Sequence, residues 1–263
     1  MDPYRPRGSL VHQLDPRVKL VCTLAFILTA ALTPDGAWPV YILLFSIILA
    51  IEVLSELGVG FVLKRALLAF PFVLAALPVI FTLQGPTLLQ LPLGPWTLTA
   101  TVSGVERFLS IALKSWISVQ AAIVLAASTT FPDLLMAMRA VGVPRLLVAI
   151  FGLMWRYLFV LADEALRLLR ARAARSGASH QPGFRTGGSL AWRGRVAGGM
   201  AGSLFLRAFE RSDRIYMAML SRGYDGEVRA EPLPGMSAVN RLILIISLLF
   251  FAVMLVFGYL FWA

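Results

Sequence analysis

Cysteine and histidine are nearly missing from this 263-residue chain, which has one Cys22 and only His12 and His180. A lone cysteine inside an apolar run excludes an intrachain disulfide framework and a cysteine metal cluster. Two isolated histidines and scattered acids give no clustered acid, base and nucleophile of the kind a hydrolytic site needs. Charge is also scarce: Asp, Glu, Lys and Arg make up 14% of the residues, against about a quarter in soluble domains. No Gly-x-x-x-x-Gly-Lys-Ser/Thr loop occurs, so the chain cannot draw on ATP by itself. No stacked aromatics or nucleic-acid fold signature accompany its basic residues, which argues against a nucleic-acid partner.

Apolar residues fill the gap, at 59% with a mean hydropathy of +0.79. This composition predicts an all-α polytopic membrane protein, because helices satisfy their own backbone polar groups inside lipid. The net charge of +10 lies outside the apolar runs and reports topology. Asp15-Pro16 reads as an N-cap with proline at the first helical position, opening span one at about 16–33. The run from Val18 to Leu32 imitates a signal peptide, but no small-x-small cleavage site follows it, so it is read as a retained span. Span two covers about 38–54. Lys64 and Arg65 then mark a cytoplasmic loop. Span three, about 66–83, carries Pro71 and Pro78 and is expected to be kinked or broken. A loop over 84–101 has no basic residue, as an external loop should. Span four runs over about 103–127, and a last span over about 241–262. Five spans place the N-terminus and every arginine cluster in the cytoplasm and the C-terminus outside.

Between spans four and five lies a stretch too charged to cross, with fifteen arginines from Arg139 to Arg229 against seven acids counted through Glu231. The domain reading is therefore 1–130 with four spans, 131–239 as a coupling-helix region, and 240–263 as the last membrane helix. A short helix from Pro132 stops at Gly142-Val143-Pro144. A pattern without breakers then extends to Ser176. Its first half, 146–161, is apolar enough to cross, but crossing would put Arg167, Arg170, Arg172 and Arg175 outside. It is read as interfacial, with its second half in the cytoplasm. Residues 177–194 read as a loop, and a third helical pattern covers about 195–222 with Arg207, Arg211 and Arg214 on a basic face.

Two helix ends match. Aligned on Arg175 and Arg222, they share Ala174 or Ser221 one residue back and Ser176 or Gly223 one residue forward, and glycine then stops each helix. Arginine suits a helix C-terminus by the macrodipole alone. A guanidinium between small residues also suits entry into a groove, where it can grip a carboxylate with two parallel hydrogen bonds. The docking reading needs both heads exposed, near one another and on the cytoplasmic side. A second feature is a stripe on span four: Ser103, Arg107, Ser110, Lys114, Ser118 and Ala121 recur at helical spacing and share one face. Polar residues at that depth face protein, which makes Arg107, Ser110, Lys114 and Ser118 a candidate partner-facing stripe. Lys114 reads either as an intramembrane functional group or as a snorkelling, packed lysine.

The opening Ser9-Leu10-Val11-His12-Gln13-Leu14-Asp15-Pro16-Arg17-Val18-Lys19-Leu20 resembles the signature of the transmembrane T components of energy-coupling factor (ECF) transporters. Ala174-Arg175-Ser176 and Ser221-Arg222-Gly223 are similar to that family's paired Ala-Arg-Gly signatures, with Ser176 replacing glycine and Ser221 replacing alanine. Arg156-Tyr157, Asp163-Glu164 and the segment from Met217 to Glu227 resemble the flanks of its cobalt-type, CbiQ-like members. The resemblance implies a non-enzymatic membrane scaffold in a bacterial or archaeal cell membrane. It would bind two ABC-type ATPase subunits through Ala174, Arg175, Ser176, Ser221, Arg222 and Gly223, and hold a substrate-binding membrane subunit, the S component. It would bind no cofactor or metal of its own, with ATP used by the partners and cobalt or nickel as cargo. A vitamin-type T component is the alternative. The rival of another class is an integral-membrane enzyme acting on lipid substrates, and a self-contained carrier is the third reading. His12 and Asp15, three residues apart, read as capping and loop packing and not as an acid-base pair.

Overall fold

The computed structural model describes residues 4–93, 96–175, 189–224 and 235–262. Eleven α-helices occur among them: α1 (Leu10–Gln13), α2 (Pro16–Leu32), α3 (Trp38–Leu54), α4 (Val59–Ala66), α5 (Phe70–Leu74), α6 (Val79–Thr82), α7 (Val102–Ser128), α8 (Phe131–Ala140), α9 (Arg145–Arg175), α10 (Leu190–Leu220) and α11 (Ala238–Trp262). One hairpin, β1 (Thr87–Leu93) with β2 (Trp96–Thr101), completes them. The protein is an all-α polytopic membrane protein. By length and composition α7, α9 and α11 are long and apolar enough to cross a membrane, while α3 is a shorter apolar helix of about 25 Å.

The chain divides into two compact units, 1–142 with 233–263, and 143–232. In the first, α2 packs against α7, α8 and α11. Phe26, Val40, Leu44, Ile48, Ile117, Ala121, Val124 and Phe251 form its core. Lipid tails are as apolar as leucine, so close packing and polar contacts must hold such a core together. Small residues permit it. Ser110 and Ala127 of α7 are fully buried, and a Cβ on Gly104 would meet the backbone of Ile80 in α6, 2.9 Å from its Cα. Leu249 and Leu260 of α11 stay exposed at 65% and 75%, as lipid-facing residues do.

Asp15 caps α2, its side chain accepting from the Arg17 backbone N–H at 2.9 Å. The third predicted span is broken: a short 3-10 turn (Leu67–Ala69), α5 and α6 replace one continuous helix. Pro71 and Pro78, each without an N–H to donate, account for the break. Three expectations need correction. Lys64 and Arg65 form the last turn of α4 and not a loop, because Gly58, at φ +84°, turns the chain early enough for a further helix. Residues 87–93 and 96–101 pair as a hairpin, where proline and glycine suggest a loop. Helix α10 begins at Leu190 and not near Arg195, because the Ser189 side chain accepts from the Trp192 N–H and caps it.

In the second unit α9 is continuous over 31 residues, about 46 Å, as the absence of breakers predicts. Neither α9 nor α10 contains a buried residue.

Candidate functional site

Both candidate arginine heads are exposed. Arg175 is the last residue of α9, and Ala174 beside it is exposed too. Ser176, Gly177 and His180 lie outside the described residues. The other head has the predicted geometry in full. Gly223 adopts φ +78°, its N–H bonds to the Leu220 carbonyl, and the Tyr224 N–H reaches the Met219 carbonyl at 3.0 Å. This six-to-one and five-to-two pair ends a helix at a left-handed glycine and places Arg222 at the C-cap position. Ser221, immediately before it, is exposed with its hydroxyl bonded to the Ala218 carbonyl. The guanidinium therefore starts from a fixed backbone.

Glu164 joins the two helices. Its carboxylate accepts from Arg207 at 3.3 Å and from Arg211 at 3.1 Å. The predicted basic face of α10 is thus partly neutralised by an acid of α9, a pairing that period alone does not reveal. Leu153, Tyr157 and Leu161 line one groove with Ala208, Arg211 and Ile215. Glu164, Leu168 and Ala171 line the next with Arg207 and Arg211. Contact order along α9 therefore runs against that along α10. Each head lies eleven residues beyond its member of the Glu164–Arg211 pair, about 16 Å along its own helix.

The Arg207 hydrogen bond, aided by the Arg211 charge, holds the Glu164 carboxyl below its ordinary range. A group depressed in the folded state contributes fully above the ordinary glutamate pKa and loses its contribution as pH falls through the lowered value. Spin labels on exposed positions of α9 and α10 should keep their separation from neutral pH down to about 5 and broaden well below about 4.3. Glu164→Gln should show the broader distribution at every pH.

The α7 stripe divides by role. Lys114 Nζ donates to Asp35 at 2.9 Å, and Arg107 lies 3.5 Å from the other oxygen of that carboxylate. The Ser110 hydroxyl accepts from the Gly36 N–H at 3.1 Å, and the Tyr41 hydroxyl donates to the Pro34 carbonyl at 2.6 Å. Lys114 therefore clasps the α2–α3 turn, which is its packing role. Ser110 is buried, whereas half-buried Ser118 lines an open cleft with Arg107, Lys114 and Ser115.

Two polar features escaped sequence reasoning. Glu52 of α3 is fully buried. With its amide nitrogen turned toward it, Gln120 donates to Glu52 Oε1 at 3.2 Å and accepts from the Trp116 indole N–H. A single acid late in an apolar run gives no hint of a partner sixty-eight residues away. The second feature is a strap formed by the N-terminal motif. The Arg5 N–H bonds to the Ala127 carbonyl at 2.9 Å, and His12 Nε2 lies 2.9 Å from the Arg5 carbonyl. A carbonyl only accepts, so Nε2 carries the proton and Nδ1 accepts from the Ser9 hydroxyl at 2.7 Å. Lys19 Nζ, almost buried, donates to the Ser128 carbonyl at 3.0 Å and to the His12 carbonyl at 3.3 Å. His12 and Asp15 are thus strap and cap, as their spacing suggested.

Comparison with known proteins identifies the family. An uncharacterized protein of Methanocaldococcus jannaschii is 25% identical over 235 residues, covering 87% of this chain and 76% of its own. The energy-coupling factor transporter transmembrane protein EcfT of Thermosediminibacter oceani is 27% identical, covering 85% of this chain and 83% of its own. The cobalt transport protein CbiQ of Salmonella typhimurium is 29% identical over 61% of this chain and 70% of its own. The family model CbiQ, described as cobalt transport protein, matches residues 7–232. That match takes in the N-terminal motif from Ser9 to Leu20, the α7 stripe and both arginine-headed helices, and so the chain belongs to the CbiQ family of cobalt transport proteins.

Proposed function

We propose that the chain is the non-catalytic coupling subunit, the T component, of an ECF-type importer. It binds two ABC-type ATPase subunits and one S component. The carrying observation is the pair of unburied helices, each ending in an exposed arginine beside a small residue and equally far from their shared ion pair. One ATPase subunit docks at each head. Ala174, Arg175, Ser176, Ser221, Arg222 and Gly223 form the two docking tips, where a guanidinium enters an acidic groove on each ATPase. The name of the EcfT relative supports membership of such a complex. ATP belongs to the ATPases, and closure of their dimer moves α9 and α10 through the tips.

The apolar first half of α9 is interfacial in this reading, which keeps Arg167, Arg170, Arg172 and Arg175 with the other basic residues in the cytoplasm. The N-terminus is cytoplasmic as well, in a bacterial or archaeal cell membrane. The S component packs on the membrane helices, and Ser118 and Arg107 on their open cleft belong to that contact. Cobalt or nickel is the cargo in this reading, cobalt being the one that the family description names. A T component serving vitamin-type S components is the second reading, since the several EcfT relatives are named for the energy-coupling factor and for no cargo.

Purification of the tagged chain from its native host tests the assignment. Two ATPase chains and a small membrane subunit should accompany it in fixed stoichiometry. A chain that purifies alone, with activity toward a lipid substrate, would instead identify the rival enzyme.

A further inference from the structure

The strap positions one residue whose purpose the coupling function leaves unexplained. Arg5 is held through its backbone at both ends, by Ala127 and by His12. Its guanidinium carbon lies 3.6 Å from the centroid of the Phe61 ring. Arg65, one turn further along α4, places its own guanidinium carbon 4.3 Å from the same centroid. Two positive charges on one phenyl ring lie within a Debye length of about 8–10 Å. Among the described residues no carboxylate forms an ion pair with either of them. The ring attracts each cation, yet it does not cancel their mutual repulsion. An anion bridging both would do so, and a phosphate offers oxygens in the geometry a guanidinium fork accepts.

The surroundings identify which kind of phosphate. Leu67, Leu68 and Phe70 follow Arg65 directly and are 56%, 76% and 53% exposed, an apolar surface for acyl chains beside a cationic one for a headgroup. Lys64 is exposed beside Arg65 in sequence, and Lys19 lies at the same strap, so this end of the bundle is where basic residues gather. Anionic lipid surfaces attract such residues at about 1 kcal/mol each. We infer that Arg5, Phe61 and Arg65 form a binding site for the phosphate headgroup of an anionic phospholipid, built by the N-terminal strap. The Ser9 and His12 signature residues then serve to fix Arg5 over Phe61. The site is independent of ATPase docking, since Arg175 and Arg222 take no part in it.

Native mass spectrometry of the full chain titrated with phosphatidylglycerol or phosphatidylcholine tests this. The wild type should take up one phosphatidylglycerol in preference to phosphatidylcholine. Arg5→Gln and Arg65→Gln should each weaken that binding about fivefold, and the double variant about thirtyfold. Arg7→Gln, outside the pair, should leave it unchanged, and millimolar inorganic phosphate should not displace the lipid. Where the double variant does not fold, phenylglyoxal modification of the wild type gives the answer. Arg5 and Arg65 should be protected in phosphatidylglycerol vesicles and modified in phosphatidylcholine vesicles. Equal lipid binding by wild type and double variant, an equal loss in Arg7→Gln, displacement by inorganic phosphate, or equal modification in both vesicles would each overturn the proposal.

Discussion

Arg175→Glu combined with Arg222→Glu should strip both ATPase subunits from the chain and abolish uptake, while the chain still inserts and keeps its membrane subunit. Each head is exposed on a helix whose own ion pair lies eleven residues away, so the reversals break no contact described within the fold. Their cost falls on the interface. Placing a carboxylate where a desolvated groove expects a guanidinium costs about 2 to 5 kcal/mol of association at each head, or roughly thirty- to several-thousand-fold in affinity. The single reversals should each weaken one docking event and leave the other. Co-purification of the ATPases at graded salt separates these cases, because a buried charge contact resists screening better than an exposed one.

Lys19→Met should give the largest loss of stability. Lys19 is 8% exposed and donates to two carbonyls, one at the last residue of α7 and one in the strap. Methionine matches the stem and removes the donor, leaving the buried Ser128 carbonyl without it at a cost of about 1–3 kcal/mol. The position also favours a cation through the C-terminal end of the α7 dipole. The melting temperature in detergent should fall by several degrees, and uptake should fall with it, because the α7–α8 corner leads directly into α9 in sequence. Lys19→Arg, which keeps a donor, should recover part of both. An unchanged melting temperature in Lys19→Met would remove the strap from the account of stability.

Much of this is legible in the sequence, because the strongest signals are local. Asp15-Pro16 starts α2, two prolines break the third span, and Gly223 closes α10 in the left-handed conformation, each by the chemistry of one or two residues. Pairings distant in sequence were not legible. Lys114 with Asp35, Gln120 with Glu52, and Arg207 and Arg211 with Glu164 are each joined only by the fold, and helical spacing places a residue on a face without naming what that face meets. Direction was hidden for the same reason. The likeness between the two arginine ends is real in sequence, but two matching ends carry no record of whether their helices run together or opposed. The extra helix holding Lys64 and Arg65 is hidden because their charge reads as the mark of a loop, whereas basic residues also suit the last turn of a helix.

Cysteine-specific cross-linking from the two small residues beside the heads tests the coupling assignment most directly. Cys22 is the chain's one native cysteine and can be replaced by serine first, after which Ala174→Cys and Ser221→Cys are introduced singly and treated in the assembled transporter with a short bifunctional reagent. The account predicts that each position links the chain to an ATPase subunit, and that ATP changes the yield at both. Cross-links from neither position to an ATPase, or labelling of both by an impermeant reagent added outside intact cells, would contradict it.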